Sequence, residues 1–138
     1  HDAGWREWLV VEHVPGSTLL ELLAAADASA PGAPEVRAQH ALAAEVGAQV
    51  AALVRARRFN RDHKPSNLVV RDASADAARV AVIDCVAIRP LPRGGPLAGA
   101  ARMFASCVIE PAARDCAPRR TLRARAVVEF AHAFLGER

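Results

Sequence analysis

The stretch that decides the fold reads NRDHKPSNLVV and occupies residues 60–70. Within it, Asp62 is followed two residues later by Lys64 and five residues later by Asn67, and an apolar run typical of a β-strand comes next. A second stretch, VAVID, is an apolar run that ends in Asp84. Because a polar turn separates the two apolar runs, we predict a β-hairpin that brings Asn67 close to Asp84.

These four polar side chains supply complementary chemical groups. Asp62 offers a carboxylate able to orient a hydroxyl, Lys64 offers a cation, and Asn67 and Asp84 offer an amide oxygen and a second carboxylate. Mg2+ prefers oxygen ligands and keeps several waters, so two such ligands suffice beside phosphates. Phosphoryl transfer requires metal ions and fixed cations against the moving charge. The pattern therefore predicts Mg-ATP chemistry, whereas each residue taken alone would be read as a turn or capping residue.

Length and composition limit the alternatives. The chain has 138 residues, which is enough for one modest domain and too few for two. Its 52% hydrophobic content predicts a globular, soluble protein, and no apolar run reaches the roughly 18 residues of a membrane span. The net charge of +3 comes without an aromatic stacking surface or an evident basic helix, so we expect no nucleic-acid partner. Three cysteines without CxxC spacing fit a reducing, cytoplasmic compartment.

The first third of the chain alternates between short elements and breaks. Residues 8–14 read as a short buried strand, which a Pro-Gly-Ser turn at 15–17 interrupts. Ser17 or Thr18 can N-cap the short leucine-rich helix that follows. Residues 27–34 are rich in small residues, proline and glycine, and we expect them to form a loop.

The rest of the chain predicts three helices around the hairpin. The longest runs from Pro34 to about Arg58, and two others cover 97–109 and 121–135. Residues 89–96 contain three prolines and two glycines and are expected to be irregular, as is the proline-containing connector 110–119. The apolar stripe of the long helix consists of Leu42, Val46, Val50, Leu53 and Val54. The apolar face of the last helix consists of Leu122, Ala126, Val127, Phe130 and Phe134.

The row NRDHKPSN resembles the catalytic loop His-Arg-Asp-x-Lys-x-x-Asn of the protein-kinase-like superfamily, and Ile-Asp-Cys stands where that superfamily has Asp-Phe-Gly. The resemblance implies that Asp62 is the catalytic aspartate and that Lys64 contacts the transferred phosphate. It further implies that Asn67 and Asp84 are the metal ligands, and that the cofactors are ATP and Mg2+. Arg61 matches the arginine that meets the activation segment in regulated kinases.

The start of the chain is similar to the hinge of that fold, where a strand ends in Glu-x-Val and a helix follows. The resemblance implies that the backbone groups of Glu12 and Val14 bind the adenine and that Val11 lines its pocket. We therefore expect an α+β fold that forms one partial kinase-like domain, with hinge strand and turn in 1–16 and a mainly helical C-lobe in 17–138. Because the N-lobe with its Gly-rich loop would be absent, we expect weak or no ATP binding by the isolated chain.

Departures from the protein-kinase pattern indicate the branch. Asn60 replaces the usual histidine, Cys85 and Val86 replace Phe-Gly, and no Ala-Pro-Glu segment follows. These features are similar to the lipopolysaccharide kinase family, the Kdo and heptose kinases. That resemblance implies transfer of the ATP γ-phosphate to a sugar of the lipopolysaccharide core, in the bacterial cytoplasm with peripheral contact at the inner membrane.

Three other functions remain open at this point. The first is a protein Ser/Thr kinase-like enzyme. The second is a pseudokinase or binding module that uses the fold as an interaction surface, and the presence of Asp62, Asn67 and Asp84 argues against it. The third is a free-standing helical domain that binds nucleic acid, which predicts salt-sensitive affinity.

Overall fold

The computed structural model describes residues 13–25, 34–73 and 78–136. Over these ranges the chain is α+β, with four helices packed beside two small antiparallel sheets. The helices are α1 (Leu19–Ala25), α2 (Pro34–Arg55), α3 (Gly95–Ala112) and α4 (Arg120–Leu135). The strands are β1 (Ser17–Thr18), β2 (Arg58–Asn60), β3 (Leu68–Ala73), β4 (Ala78–Val82) and β5 (Ile88–Pro90). None of the helices in these ranges is long and apolar enough to cross a membrane.

Helix α2 connects the two parts of the core. Its predicted apolar stripe is confirmed, because the four residues spaced by four are at most 5% exposed and Leu53 is partly buried. The first half of α2 packs on the β3–β4 hairpin and the second half packs on α3 and α4. The first cluster joins Leu42 and Val46 to Leu68, Val70 and Val80. The second joins Val50 and Val54 to Phe59, Met103 and Phe130.

The start of α1 is fixed by a reciprocal cap at Thr18, one of the two residues predicted as the N-cap. The Glu21 N–H donates to Thr18 Oγ1 at 3.2 Å, and the Thr18 N–H donates to the Glu21 carboxylate at 2.7 Å. These hydrogen bonds form a capping box and lower the pKa of Glu21. Ser17 and Thr18 also pair with Val70 and Val69 of β3, so the residues that cap the helix add a third strand to the hairpin sheet.

Gly16 allows the chain to cross this sheet closely. Its φ is +139°, a value that residues with a side chain rarely adopt. A Cβ at this position would overlap the carbonyl oxygen of Val70 and lie 2.9 Å from a methyl of Val69. The glycine of the predicted Pro-Gly-Ser turn is therefore required by the contact with β3.

Two predicted boundaries around β2 and β5 are wrong. Helix α2 ends at Arg55, because its last turn tightens and Arg57 adopts a left-handed φ of 60°. Arg58 then opens β2, which pairs with β5 in the register Arg58↔Pro90. Part of the segment 89–96 is thus regular, since a proline is tolerated at the end of a two-stranded edge.

Helix α3 is longer than predicted at both ends, and α4 differs in its buried face. Gly95 and Pro96 form the first turn of α3. Proline is tolerated there, because N–H groups in the first turn of a helix have no acceptor within the helix. The helix continues past Glu110 to Ala112 and includes a fully buried Pro111, so the connector begins later than expected. In α4, Leu122, Ala126 and Phe130 are buried as predicted, but Val127 is 49% exposed.

Candidate functional site

Two strand pairings bring the two sequence stretches together. In the hairpin of β3 and β4, the Ile83 N–H donates to the Asn67 carbonyl at 3.0 Å. Beyond the end of β2, the Arg61 N–H donates to the Ala87 carbonyl at 3.1 Å. The segment that carries Asp84 is therefore attached at both ends to the β2–β3 loop (residues 61–67). The hairpin predicted from the sequence is confirmed, whereas the second attachment was not anticipated.

The β2–β3 loop is closed by hydrogen bonds of its own side chains. The Asp62 N–H donates to Asn60 Oδ1 at 3.0 Å, and Asn60 is completely buried. The Asn67 amide nitrogen donates to the Asp62 carbonyl at 3.1 Å, while the Asn67 N–H donates to the Lys64 carbonyl at 2.9 Å. Asp62, Lys64 and Asn67 thus belong to one ring of contacts. The position where the kinase pattern has histidine is filled by an asparagine that anchors the aspartate.

Helix α3 contacts the end of β2 and the β2–β3 loop through three side chains on one of its faces. These side chains are four and three residues apart, and they meet the last residue of β2 and two loop residues at intervals of three. The contacts are Asn60 N–H to Met103 Sδ at 3.3 Å, Cys107 Sγ to the His63 carbonyl at 3.2 Å, and Ser66 N–H and Oγ to the Glu110 carboxylate at 2.9 and 2.7 Å. The loop is consequently positioned by α3 residues that follow their partners by 43 or 44 positions in the chain.

Two titratable groups, His63 in the loop and Cys107 on α3, are wholly or partly shielded from solvent. His63 is 0% exposed, and neither of its ring nitrogens has a hydrogen-bond partner in the described chain. Burial lowers the pKa of His63 from about 6.5 to about 4. Burial, and then the charge of Glu110, raises the pKa of the Cys107 thiol to about 12. Sequence reasoning missed these residues, although a histidine between the aspartate and the lysine of the motif is a visible signal.

The four predicted site residues are partly accessible. The Asp62 side chain is 42% exposed and lies 3.8 Å from the exposed guanidinium of Arg61. Lys64, Asn67 and Asp84 are half-buried. Asp84 stands at the N-cap of a 3-10 turn, Cys85–Ala87, yet its carboxylate makes no capping hydrogen bond. A capping role therefore does not account for Asp84.

The predicted adenine-binding residues are described only in part. Val11 and Glu12 lie outside the described residues, as does most of the predicted strand 8–14. Val14 is half-buried and lies in an irregular segment that leads to Gly16. Its assignment to the adenine pocket stays a prediction.

The oxygen atoms of Asn67 and Asp84 fit Mg2+ better than a transition metal. No group of three or more His, Cys, Asp or Glu side chains that could hold a metal occurs in the ranges 13–25, 34–73 and 78–136. The hydrogen bond from the Asn67 amide nitrogen to the Asp62 carbonyl fixes which end of the amide is anchored, and it leaves Oδ1 available. An amide oxygen and a carboxylate are hard ligands of the kind that Mg2+ takes together with phosphate oxygens and water.

The β2–β3 loop and the segment around Asp84 together present two carboxylates, a lysine and a free amide oxygen. This set can bind a divalent cation with phosphates and orient a hydroxyl. No protein-family model, no curated protein and no solved structure matches this chain. The chemistry of the site is therefore inferred from these side chains and the contacts that hold them.

Proposed function

We propose that this chain is the C-lobe of a protein-kinase-like phosphotransferase that transfers the ATP γ-phosphate to a hydroxyl group, with a sugar of the lipopolysaccharide core as acceptor. The observation that carries the proposal is the double attachment of the Asp84 segment to the β2–β3 loop. It holds next to each other the two backbone segments that carry the motif NRDHKPSN and the Ile-Asp pair. ATP and Mg2+ are the cofactors under this proposal.

Asp62 has the features required of a residue that orients the acceptor. Its backbone N–H and carbonyl are hydrogen-bonded to Asn60 and Asn67, so the peptide groups on both sides of its Cα are fixed. Its carboxylate remains 42% exposed, and the only ion pair that it forms within the described residues is a long one with Arg61. Such a carboxylate can accept a hydrogen bond from the acceptor hydroxyl and hold its oxygen in line with the phosphorus.

Lys64, Asn67 and Asp84 have roles on the phosphate side. Lys64 is half-buried two residues after Asp62, and its ammonium group can neutralise a phosphate oxygen. Asn67 Oδ1 and the Asp84 carboxylate would hold Mg2+. Mg2+ held by these two residues would supply positive charge against the transferred phosphoryl group. The anchored amide of Asn67 presents its oxygen without further reorganisation.

A compact acceptor is favoured by the short path after Asp84. The chain passes directly into the 3-10 turn Cys85–Ala87 and β5, and α3 begins at Gly95. Both pieces are already used to attach this segment to β2 and to the β2–β3 loop. That leaves no long segment of the kind on which protein kinases dock an extended peptide. A sugar acceptor does not require a long docking segment of this kind.

The test is phosphate transfer from ATP to purified lipopolysaccharide core by the protein expressed from its complete reading frame. We expect Asp62→Asn and Asp84→Asn each to lower kcat/KM on the order of 100-fold or more, the usual size of such contributions. Asp72→Asn serves as the matched control, because Asp72 is an exposed carboxylate in β3 outside the site.

Each other outcome has a defined meaning. Activity that survives both Asp62→Asn and Asp84→Asn would refute the site assignment. Transfer to a protein but not to the glycolipid would assign the chain to the protein kinases. No transfer to either acceptor, combined with no ATP binding by the complete protein, would favour a pseudokinase.

A further inference from the structure

An apolar cavity lies among the four helices. Its volume is about 110 Å³, and it is lined by residues of α1, α2, α3, α4 and the connector 113–119. Both parts of the core contribute to its wall, through Leu42 of the first cluster and Phe104, which packs against the second. Because protein interiors seldom contain voids larger than a water molecule, a cavity of this size requires an explanation.

Small side chains leave this space open. The wall includes Ala43 on α2, Val108 on α3 and Ala126 on α4, none of which is long enough to fill the space between the helices. Apart from Gln39 and Arg123, the described residues that line the cavity are apolar. An apolar cavity offers water no hydrogen-bond partners and accepts apolar molecules instead. The interior is therefore suited to a hydrocarbon group.

The cavity opens to solvent beside Arg123. Of the described lining residues, only Arg123 and Val127 are exposed, and they are one turn apart on α4. The Arg123 side chain has no hydrogen-bond or ion-pair partner within the described part of the chain. No acidic residue is found among the described lining residues, and exposed Arg119 and Arg120 at the start of α4 add positive charge nearby. The opening is therefore complementary to an anionic group.

We propose that this cavity binds a short-chain monocarboxylic acid, with its apolar chain inside and its carboxylate on Arg123. A guanidinium can donate two parallel hydrogen bonds to a carboxylate, and each buried methylene of the chain favours binding. The chain is short, because the cavity is smaller than the engineered cavity of about 150 Å³ that takes up benzene, so about five apolar carbons fill it. The proposal is independent of the phosphotransfer reaction, since none of the described lining residues belongs to the β2–β3 loop or to the segment around Asp84.

The affinity should depend on chain length up to the size of the cavity. Each buried methylene improves the Kd about fourfold, so hexanoate should bind about 15-fold more tightly than butanoate. Octanoate should gain much less over hexanoate, because its last carbons have no room in the cavity. An exposed ion pair contributes only a few-fold, so Arg123 should favour hexanoate over 1-hexanol about threefold.

The experiment is a two-dimensional NMR titration of the full chain with butanoate, hexanoate, octanoate and 1-hexanol. The charge variant is Arg123→Gln, with Arg123→Lys as the conservative variant. Arg120→Gln is its matched control, because Arg120 is exposed on the same helix and does not line the cavity. The filling variants are Ala43→Leu and Val108→Leu, and Ala124→Leu is their control at an exposed position of α4. Circular dichroism and light scattering report the fold, the Tm and the oligomeric state of each variant.

We expect hexanoate to shift the signals of cavity residues with a Kd on the order of 1 mM. Ala43→Leu should lower the affinity for hexanoate more than about tenfold without lowering Tm, and Val108→Leu should lower it about fourfold, because the added carbons occupy the space of the ligand. Arg123→Gln should remove the preference for hexanoate over 1-hexanol. Arg123→Lys and both controls should keep it.

Several results would overturn the proposal. These are a lack of hexanoate binding, equal binding of butanoate and hexanoate, and unchanged binding in a folded Ala43→Leu or Val108→Leu variant. Equal binding of hexanoate and 1-hexanol by the original chain would overturn the choice of a carboxylic acid as ligand. A dimer that dissociates in Ala43→Leu but not in Ala124→Leu would assign the cavity to a second copy of the chain instead.

Discussion

Replacement of His63 by leucine isolates the cost of a buried histidine inside the β2–β3 loop. The side chain is completely buried and its two ring nitrogens have no hydrogen-bond partner in the described chain, so the folded chain favours the neutral imidazole. Its pKa is lowered from about 6.5 to about 4. Between these values the unfolded chain binds a proton that the folded chain does not, and stability therefore falls as the pH falls through this window.

The magnitude follows from the width of the window. A span of about 2.5 pH units corresponds to roughly 3 kcal/mol, all of it lost below about pH 4 and none of it lost above about pH 6.5. Leucine has a similar volume and no ring nitrogens, so it removes this dependence. At neutral pH we also expect His63→Leu to be more stable by about 1 kcal/mol, because it removes unpaired buried nitrogens.

The assay is urea unfolding followed by circular dichroism at several values between about pH 7.5 and pH 4. The informative quantity is the difference in unfolding free energy between the His63→Leu variant and the original chain at each pH. His63→Gln is the matched variant, since it does not titrate but keeps a buried polar group; it should lose the pH dependence without the gain at neutral pH. A difference that stays flat across the whole range would refute the assignment of a buried, neutral histidine.

Three further predictions concern stability and reactivity. Glu110→Gln should destabilise the chain by about 1–2 kcal/mol, measured by urea unfolding. Glutamine has a single acceptor oxygen without charge, so it cannot accept the hydrogen bonds from both the Ser66 N–H and the Ser66 hydroxyl as the carboxylate does. Gly16→Ala should cost more than about 1 kcal/mol and lower Tm, because the new methyl overlaps β3. Cys107 is half-buried and its pKa is raised to about 12, so it should react with a thiol reagent much more slowly than exposed Cys85 in the native chain. Mass spectrometry of each site would contradict this if Cys107 reacted first.

The sequence predicted those parts of the fold that depend on local patterns. The stripe of α2 and the β3–β4 hairpin follow from periodicity within a short window, and both are confirmed. Strands β1 and β5 were missed because they have two and three residues and exist only through partners far along the chain. The early end of α2 was missed because Arg57 has no sequence signal for its left-handed backbone.

The candidate site divides in the same way. Asp62, Lys64, Asn67 and Asp84 could be proposed from the sequence because their spacing is itself the signal. Glu110 was not predicted as part of the site, because its contact with Ser66 spans 44 residues and no local sequence pattern at either residue indicates it. The supporting contacts of a site are in general less visible in a sequence than the groups that do its chemistry, since they need only to be close in space.

The spacing of the contacts between α3 and the loop restricts changes in chain length. The three helix residues that grip the loop span only two turns, and each additional residue in that span would rotate those beyond it by about 100° around the helix axis. A single insertion between Met103 and Glu110 would therefore turn the carboxylate away from Ser66 while leaving composition and helix propensity almost unchanged. The connector 113–119 carries no such contact with the loop, so insertions there leave this alignment intact.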